Sequence, residues 1–138
     1  RPIWLAYTLA AVWVLLMLGL SFLSGRRPSL GPVEGRLRKC PDSPNCVCSF
    51  DTDDEHAIAP LDAGDDPAAT MDRLRTLLRT LPRVRIVTDE GTYLHAEFTT
   101  AVLRFVDDIE FLLDEPAGLI HVRSASRVGR ADFGTNRK

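Results

Sequence analysis

Between Pro2 and Gly25 the sequence has no charged residue at all, and Ile3 to Leu23 is almost wholly apolar. At about 1.5 Å of rise per residue, roughly 20 residues cross a bilayer core of about 30 Å, so this run predicts a single transmembrane helix. Trp4 and Tyr7 near its first end suit the membrane interface. A secretory signal would carry a shorter apolar stretch, of about 7–15 residues. Leu37-Arg38-Lys39 before Cys40 is not a lipoprotein cleavage context. Acid is also missing from residues 1–27, whose only charges are Arg1, Arg26 and Arg27. Residues 28–138 then hold 14 basic against 19 acidic side chains, a net of −5, which argues against general nucleic-acid binding. The sequence opens on Arg1 and closes on Lys138 without the feel of natural ends, and is expected to continue beyond both.

Recognisable chemistry is scarce as well. There is no Gly-x-Ser-x-Gly nucleophile elbow and no phosphate loop. The three cysteines, Cys40, Cys46 and Cys48, follow C-x5-C-x-C spacing, with neither a C-x2-C pair nor a second cluster. Adding His56 does not give a convincing zinc or iron–sulfur set, so no metal and no cofactor is expected. Two readings of the cysteines stay open: thiols packing a turn, or a Cys40–Cys46 disulfide if the domain faces an oxidising compartment. Asp51 to Asp66 carries seven acids and no base but lacks the spacing, central glycine and closing Glu of a calcium loop, so it is expected to be a solvated acidic loop.

The segments that remain set the architecture. Pro28, Gly31, Pro32 and Gly35 make residues 26–39 a basic linker that can lie on lipid headgroups. CPDSPNCVCS, Cys40 to Ser49, is expected to be a compact turn with no helix or strand. Asp66 is a natural N-cap with Pro67 at the first helical position, predicting a helix over Pro67–Leu81. Its face would be Met71, Leu74, Leu77, Leu78 and Leu81, and Pro82 would end it. Strands are predicted at Arg83–Val87, Thr92–Thr99, Val102–Val106, Ile109–Leu113 and Leu119–Ser124, with the Thr92–Thr99 run alternating between Tyr93, His95, Glu97 and Leu94, Ala96, Phe98. Short links favour an antiparallel sheet, and one helix over one face gives an α+β fold of two layers. The organisation expected is an anchor at 1–25, a linker at 26–39 and a soluble α+β domain at 40–138. Arg26, Arg27, Arg36, Arg38 and Lys39 all follow the span, so the positive-inside bias puts that domain in the cytoplasm.

The stretches CPDSPNCVCS, YLHAEFTT, RFVDDIEF and HVRSASRVGRADFGTNR together resemble the bacterial and plastid family known as domain of unknown function 1499. The resemblance runs from about Cys40 to Arg137 and rests on SPNCV, FVDD and RSASRVG. It implies a small domain, often membrane-attached or exported, and no particular activity, substrate or cofactor. The family motif falls here on Cys40, Ser43, Pro44, Asn45 and Cys46, on Phe105, Asp107 and Asp108, and on Arg123, Ser124, Ser126, Arg127, Gly129, Asp132, Gly134, Asn136 and Arg137. Cys48 stands where serine is the more usual residue, so the resemblance adds nothing to a three-cysteine metal site.

The candidate site is therefore Asp107, Asp108, Arg123, Ser124, Ser126, Arg127, Asp132, Asn136 and Arg137. Arg123 and Arg127 offer planar donor forks, with Asp107 or Asp108 as their obvious partners. In one reading these ions pair and fix the C-terminal motif; in another an arginine stays available for an anionic lipid headgroup or a protein carboxylate. A hydrolase would recruit Ser124 or Ser126 with His95 or His121 and Asp107 or Asp108, and a Ser–His contact would favour it. A hydrophobic cavity between helix and sheet would favour a ligand-binding module. The leading expectation is a non-catalytic single-pass protein of the bacterial plasma membrane. It would be an accessory subunit of a larger complex, for which an energy-transducing one, respiratory or photosynthetic, is a candidate, meeting the lipid bilayer and other subunits through Ile3–Leu23 and its soluble domain.

Overall fold

The computed structural model describes residues 3–129 and 135–137. Helix α1 spans Ile3–Ser24, and its apolar side chains are exposed all round, Trp4 at 81% and Phe22 at 73%. Uniform hydrophobicity leaves this helix no preferred face to bury, as expected of a segment that can cross a bilayer. Strands β1 (Cys46–Cys48) and β2 (Leu61–Asp62) precede helix α2 (Pro67–Thr80). Strands β3 (Val84–Asp89), β4 (Tyr93–Thr99), β5 (Val106–Asp114) and β6 (Leu119–Ser126) follow, then a short 3-10 turn at Thr135–Arg137.

The six strands form one antiparallel sheet in the order β1-β6-β5-β4-β3, with β2 also on β6. Chain neighbours β3 to β6 pair in sequence because their connections are short. The α+β class is as the sequence predicts. Helix α2 begins where expected: the Ala69 amide donates to the Asp66 carboxylate at 3.0 Å and Pro67 opens the first turn. Met71, Leu74 and Leu78 pack on Leu94, Ala96, Phe111, Leu113 and Ile120 of one sheet face. Leu77 is 54% exposed and Leu81 lies in extended backbone beyond the last turn, so neither belongs to the buried stripe as expected.

Two further expectations are corrected. Val102–Val106 is not a strand. Residues 101–103 turn, Arg104 takes a left-handed φ of 57°, Val102 is 87% exposed, and β5 starts only at Val106. The turn is closed by the Phe105 amide on Thr100 Oγ1 at 2.9 Å and the Thr100 amide on the Phe105 carbonyl at 2.8 Å. Nor is the cysteine stretch all turn. Cys46, Val47 and Cys48 are an edge strand opposite Ala125, Ser124 and Arg123, a pairing set by distant residues that local turn chemistry does not reveal.

The second face of the sheet is also covered, and not by a helix. In register across the strands it carries Tyr93, His95 and Glu97, then Leu112, Glu110 and Asp108, then His121, Arg123 and Ala125. His95, Glu97, Asp108, Glu110 and Arg123 are all under a tenth exposed. The segment expected to be a basic linker on lipid headgroups lies over them, with Leu37 buried beside Tyr93 and Cys48, and Cys40 and Phe50 packed at its edge. One face is thus a helix-covered apolar core and the other a buried polar layer.

Candidate functional site

The polar layer is organised around three carboxylates. Asp108 receives both edges of the Arg127 fork, from Nε at 2.6 Å and Nη2 at 2.7 Å, and lies 2.6 Å from His95 Nε2. Glu97 receives Arg127 Nη2 at 2.5 Å, Arg27 Nε at 2.8 Å and Arg85 Nη2 at 2.8 Å. Glu110, fully buried, accepts from the Tyr93 hydroxyl at 2.7 Å, the Gly31 amide at 3.1 Å and Arg123 Nη1 at 3.2 Å. Such multiply bonded carboxylates can remain charged away from water. Burial pushes the pKa of Asp108 up, but hydrogen bonds from Arg127 and His95 outweigh it and hold the group below the usual carboxylate range. At Glu97 burial acts the same way, and the three arginines overcome it more strongly. Burial and the adjoining Glu110 push the Tyr93 phenol up, keeping its proton on the donor side of that bond.

This layer reaches the end of α1. The Val106 amide donates to Ser24 Oγ at 2.6 Å, and Arg127 Nη1 donates to the Ser24 carbonyl at 3.1 Å. With Arg27 on Glu97, the last turn of the apolar helix and the third residue beyond it are fastened directly to the sheet.

A second cluster joins the two motif stretches. Asn45 Nδ2 donates to the Gly129 carbonyl at 2.7 Å, and the Ser126 amide donates to the Asn45 carbonyl at 3.0 Å. Gly129 holds a φ of 84°, which a side chain would strain. Asn136 Nδ2 donates to the Asn45 carbonyl at 3.1 Å and to Ser126 Oγ at 2.9 Å, and Ser124 Oγ donates to Asn136 Oδ1. Arg137 donates to the carbonyls of Ala57 and Glu55, both at 2.7 Å. Cys40 and Cys46 are disulfide-bonded, closing the turn that presents Asn45, while Cys48 is a buried free thiol whose pKa burial raises.

The sequence-nominated residues therefore divide into two groups. Asp108 and Arg127 meet in the polar layer; Ser124, Ser126, Asn136 and Arg137 meet around Asn45 and the 55–57 loop. Arg123 pairs with Glu110, not with Asp107 or Asp108. Asp107 is on the opposite sheet face, in register with Phe98 and Ser126. Asp132 lies outside the described residues. Sequence reasoning missed Glu97, Glu110, Tyr93, Arg27 and Ser24. The signal for the first three was present: they fall at like parity on neighbouring strands, as does Arg123.

Among the described residues neither Ser124 nor Ser126 touches a histidine. The Ser–His contact that does occur is Ser49 Oγ to His121 Nδ1 at 3.0 Å. Ser49 Oγ there accepts from the Val122 amide at 3.0 Å, and Phe50 stacks on the His121 ring at 3.9 Å between centroids. The nearest carboxylate, Asp114, is 3.9 Å from His121 Nε2, too far for a hydrogen bond. This arrangement pins β1's trailing loop to β6. Among the described residues no group of three or more His, Cys, Asp or Glu is placed to hold a metal ion.

A family model described as protein of unknown function (DUF1499) matches residues 36–138. No curated protein and no solved structure matches the chain. The match takes in β1 to β6, α2, the disulfide and both motif clusters, and over that three-quarters of its length the chain belongs to the DUF1499 family.

Proposed function

We propose that the protein is a single-pass membrane protein whose extramembrane domain is a non-catalytic module, held in one pose at the bilayer face as an accessory subunit of a larger membrane assembly. The observation that carries this reading is the fastening of Ser24 and Arg27 to Val106, Arg127 and Glu97. An enzyme on a tether works at any angle to the membrane. A surface that must meet a neighbouring subunit gains from being presented at a fixed angle, since less orientational freedom is then lost on docking. The span itself is open on every side to lipid or to other spans.

The Cys40–Cys46 disulfide supports placement of the domain on an oxidising side, which in a bacterial cell is the periplasmic face of the plasma membrane. The basic residues after the span pull the other way. The disulfide is the weightier signal, because cytosolic thiols are kept reduced whereas charge bias only favours one orientation. Purification through this chain in mild detergent tests the main reading: other membrane proteins should be recovered at fixed stoichiometry, and a monodisperse monomer would overturn it. Alkaline phosphatase fused after the domain should be active if the domain is periplasmic and inactive if it is cytoplasmic. A second reading, an anion-binding module, is favoured by a cavity beside the polar layer.

A further inference from the structure

Where α1 meets the sheet, a cavity of about 550 Å³ opens on the polar face, away from α2. That volume lies within the usual range for small-ligand sites. Leu23, Leu30 and Val128 give it apolar walls, while Arg26, Arg27, Arg123 and Arg127 supply cations against Asp108 as the acid in the lining. Glu97 and Glu110 stand behind it and occupy part of that positive charge. Arg127 makes four hydrogen bonds, to Asp108, Glu97 and the Ser24 carbonyl, and Arg27 is held by Glu97.

The other two arginines are held less fully. Arg123 is 7% exposed, gives Nη1 to Glu110, and keeps a buried Nε–H with no acceptor among the described residues. Folded proteins pair nearly all buried polar groups, and a charged donor left over is the more costly kind. Arg26 sits at the mouth with its guanidinium 5.9 Å from the Phe22 ring centre and has no carboxylate partner among the described residues. The unfilled donor is part of a planar fork suited to oxyanions. It lies just past the end of an apolar span, where a basic pocket meets lipid headgroups.

We propose that this cavity binds the phosphate of an anionic phospholipid headgroup, with the Arg123 and Arg26 guanidinium groups facing its oxygens and Leu23 and Leu30 flanking the first carbons of the acyl chains. A free phosphate offers the same oxyanion, but the apolar walls and the position at the end of the span favour the lipid. The inference does not rest on the accessory-subunit reading, because a monomer would bind the lipid equally well.

The test is native mass spectrometry of the full chain in mixed micelles holding equal mole fractions of phosphatidylglycerol and phosphatidylcholine. The wild type should retain phosphatidylglycerol about tenfold over phosphatidylcholine, because the choline cation beside the same phosphate is repelled by the arginines of the lining. Arg123→Gln keeps a donor for Glu110 but removes the cation, and Val128→Trp fills the cavity without touching an ion pair. Both should bring retention of the two lipids level, in protein whose cooperative thermal unfolding shows that it is folded. Equal retention by the wild type, or an unchanged preference in a folded Val128→Trp variant, overturns the proposal. Displacement of phosphatidylglycerol by millimolar inorganic phosphate alone would overturn the lipid as the source of the oxyanion.

Discussion

Arg127 and Arg85 both donate to Glu97, one from inside the protein and one from its surface, and substituting each by alanine separates burial from charge pairing. The Arg127 side chain is 5% exposed and makes four hydrogen bonds, two to Asp108, one to Glu97 and one to the Ser24 carbonyl. Its removal leaves Asp108, 2% exposed, with His95 as its remaining side-chain partner, and strips Glu97 of its innermost cation. Breaking a buried pair from one side costs about 3–5 kcal/mol. For a domain near 100 residues that corresponds to a fall in melting temperature of roughly 15–25 °C. Arg85 is 67% exposed, and an exposed pair contributes about 0–1 kcal/mol, so Arg85→Ala should lower the melting temperature by at most about 5 °C. Arg127→Lys should fall between the two, since it restores the charge but not the fork. The assay is thermal unfolding of the full chain in detergent at pH 7, followed by far-ultraviolet circular dichroism with the persisting helix α1 as a constant baseline. If Arg127→Ala and Arg85→Ala lower the melting temperature alike, the polar layer does not hold the fold together.

Acid should weaken the wild type. Glu97 and Asp108 both have folded pKa values below those of the unfolded chain, so the unfolded state binds more protons on acidification. Their contribution is complete above the unfolded carboxylate values of about 4 and drains away below them, so melting temperature measured against pH should drop steeply under about pH 4; a rise there would contradict the ion ladder. Thiol titration should find no reactive thiol in the native protein, one on denaturation without reductant and three after reduction, matching the Cys40–Cys46 bond and buried Cys48. Replacing Cys40 and Cys46 by serine should cost about 2 kcal/mol, the loop-closure value for so short a ring, read by chemical denaturation. Alkaline carbonate should leave the protein in the membrane pellet, and its release would rule out a spanning α1.

Local signals in the sequence were enough for α2 and for the four long strands. Asp66-Pro67 fixes a helix start through a cap and a pre-set φ, and Met71, Leu74 and Leu78 supply the helical period. The Val102–Val106 error came from β-branched and apolar residues that in fact serve a turn, with Arg104 left-handed. The deeper omission was the second sheet face. Alternation such as Tyr93-Leu94-His95-Ala96-Glu97 ordinarily marks one face in the core and one in water. Here the polar set is buried because residues 24–50, distant in sequence, lie across it, and nothing local to β4 or β5 announces that cover. Asp108 with Arg127 was within reach of simple charge matching. Arg123 with Glu110 required register, because the two become neighbours only once β5 and β6 align.

The bonds from Ser24 to Val106 and Arg127 make the anchor and the domain one lever. A helix of 22 residues is about 33 Å long, slightly more than a bilayer core of about 30 Å, long enough to span one with some tilt. With no loose joint at residue 24, a change in tilt of about 10° would swing the far edge of a domain of this size, about 25 Å away, through about 4 Å. In a bilayer, a variation in thickness that changed the tilt would be carried into lateral travel of the DUF1499 surface, and lengthening the chain between Gly25 and Arg27 by a few glycines would uncouple the two.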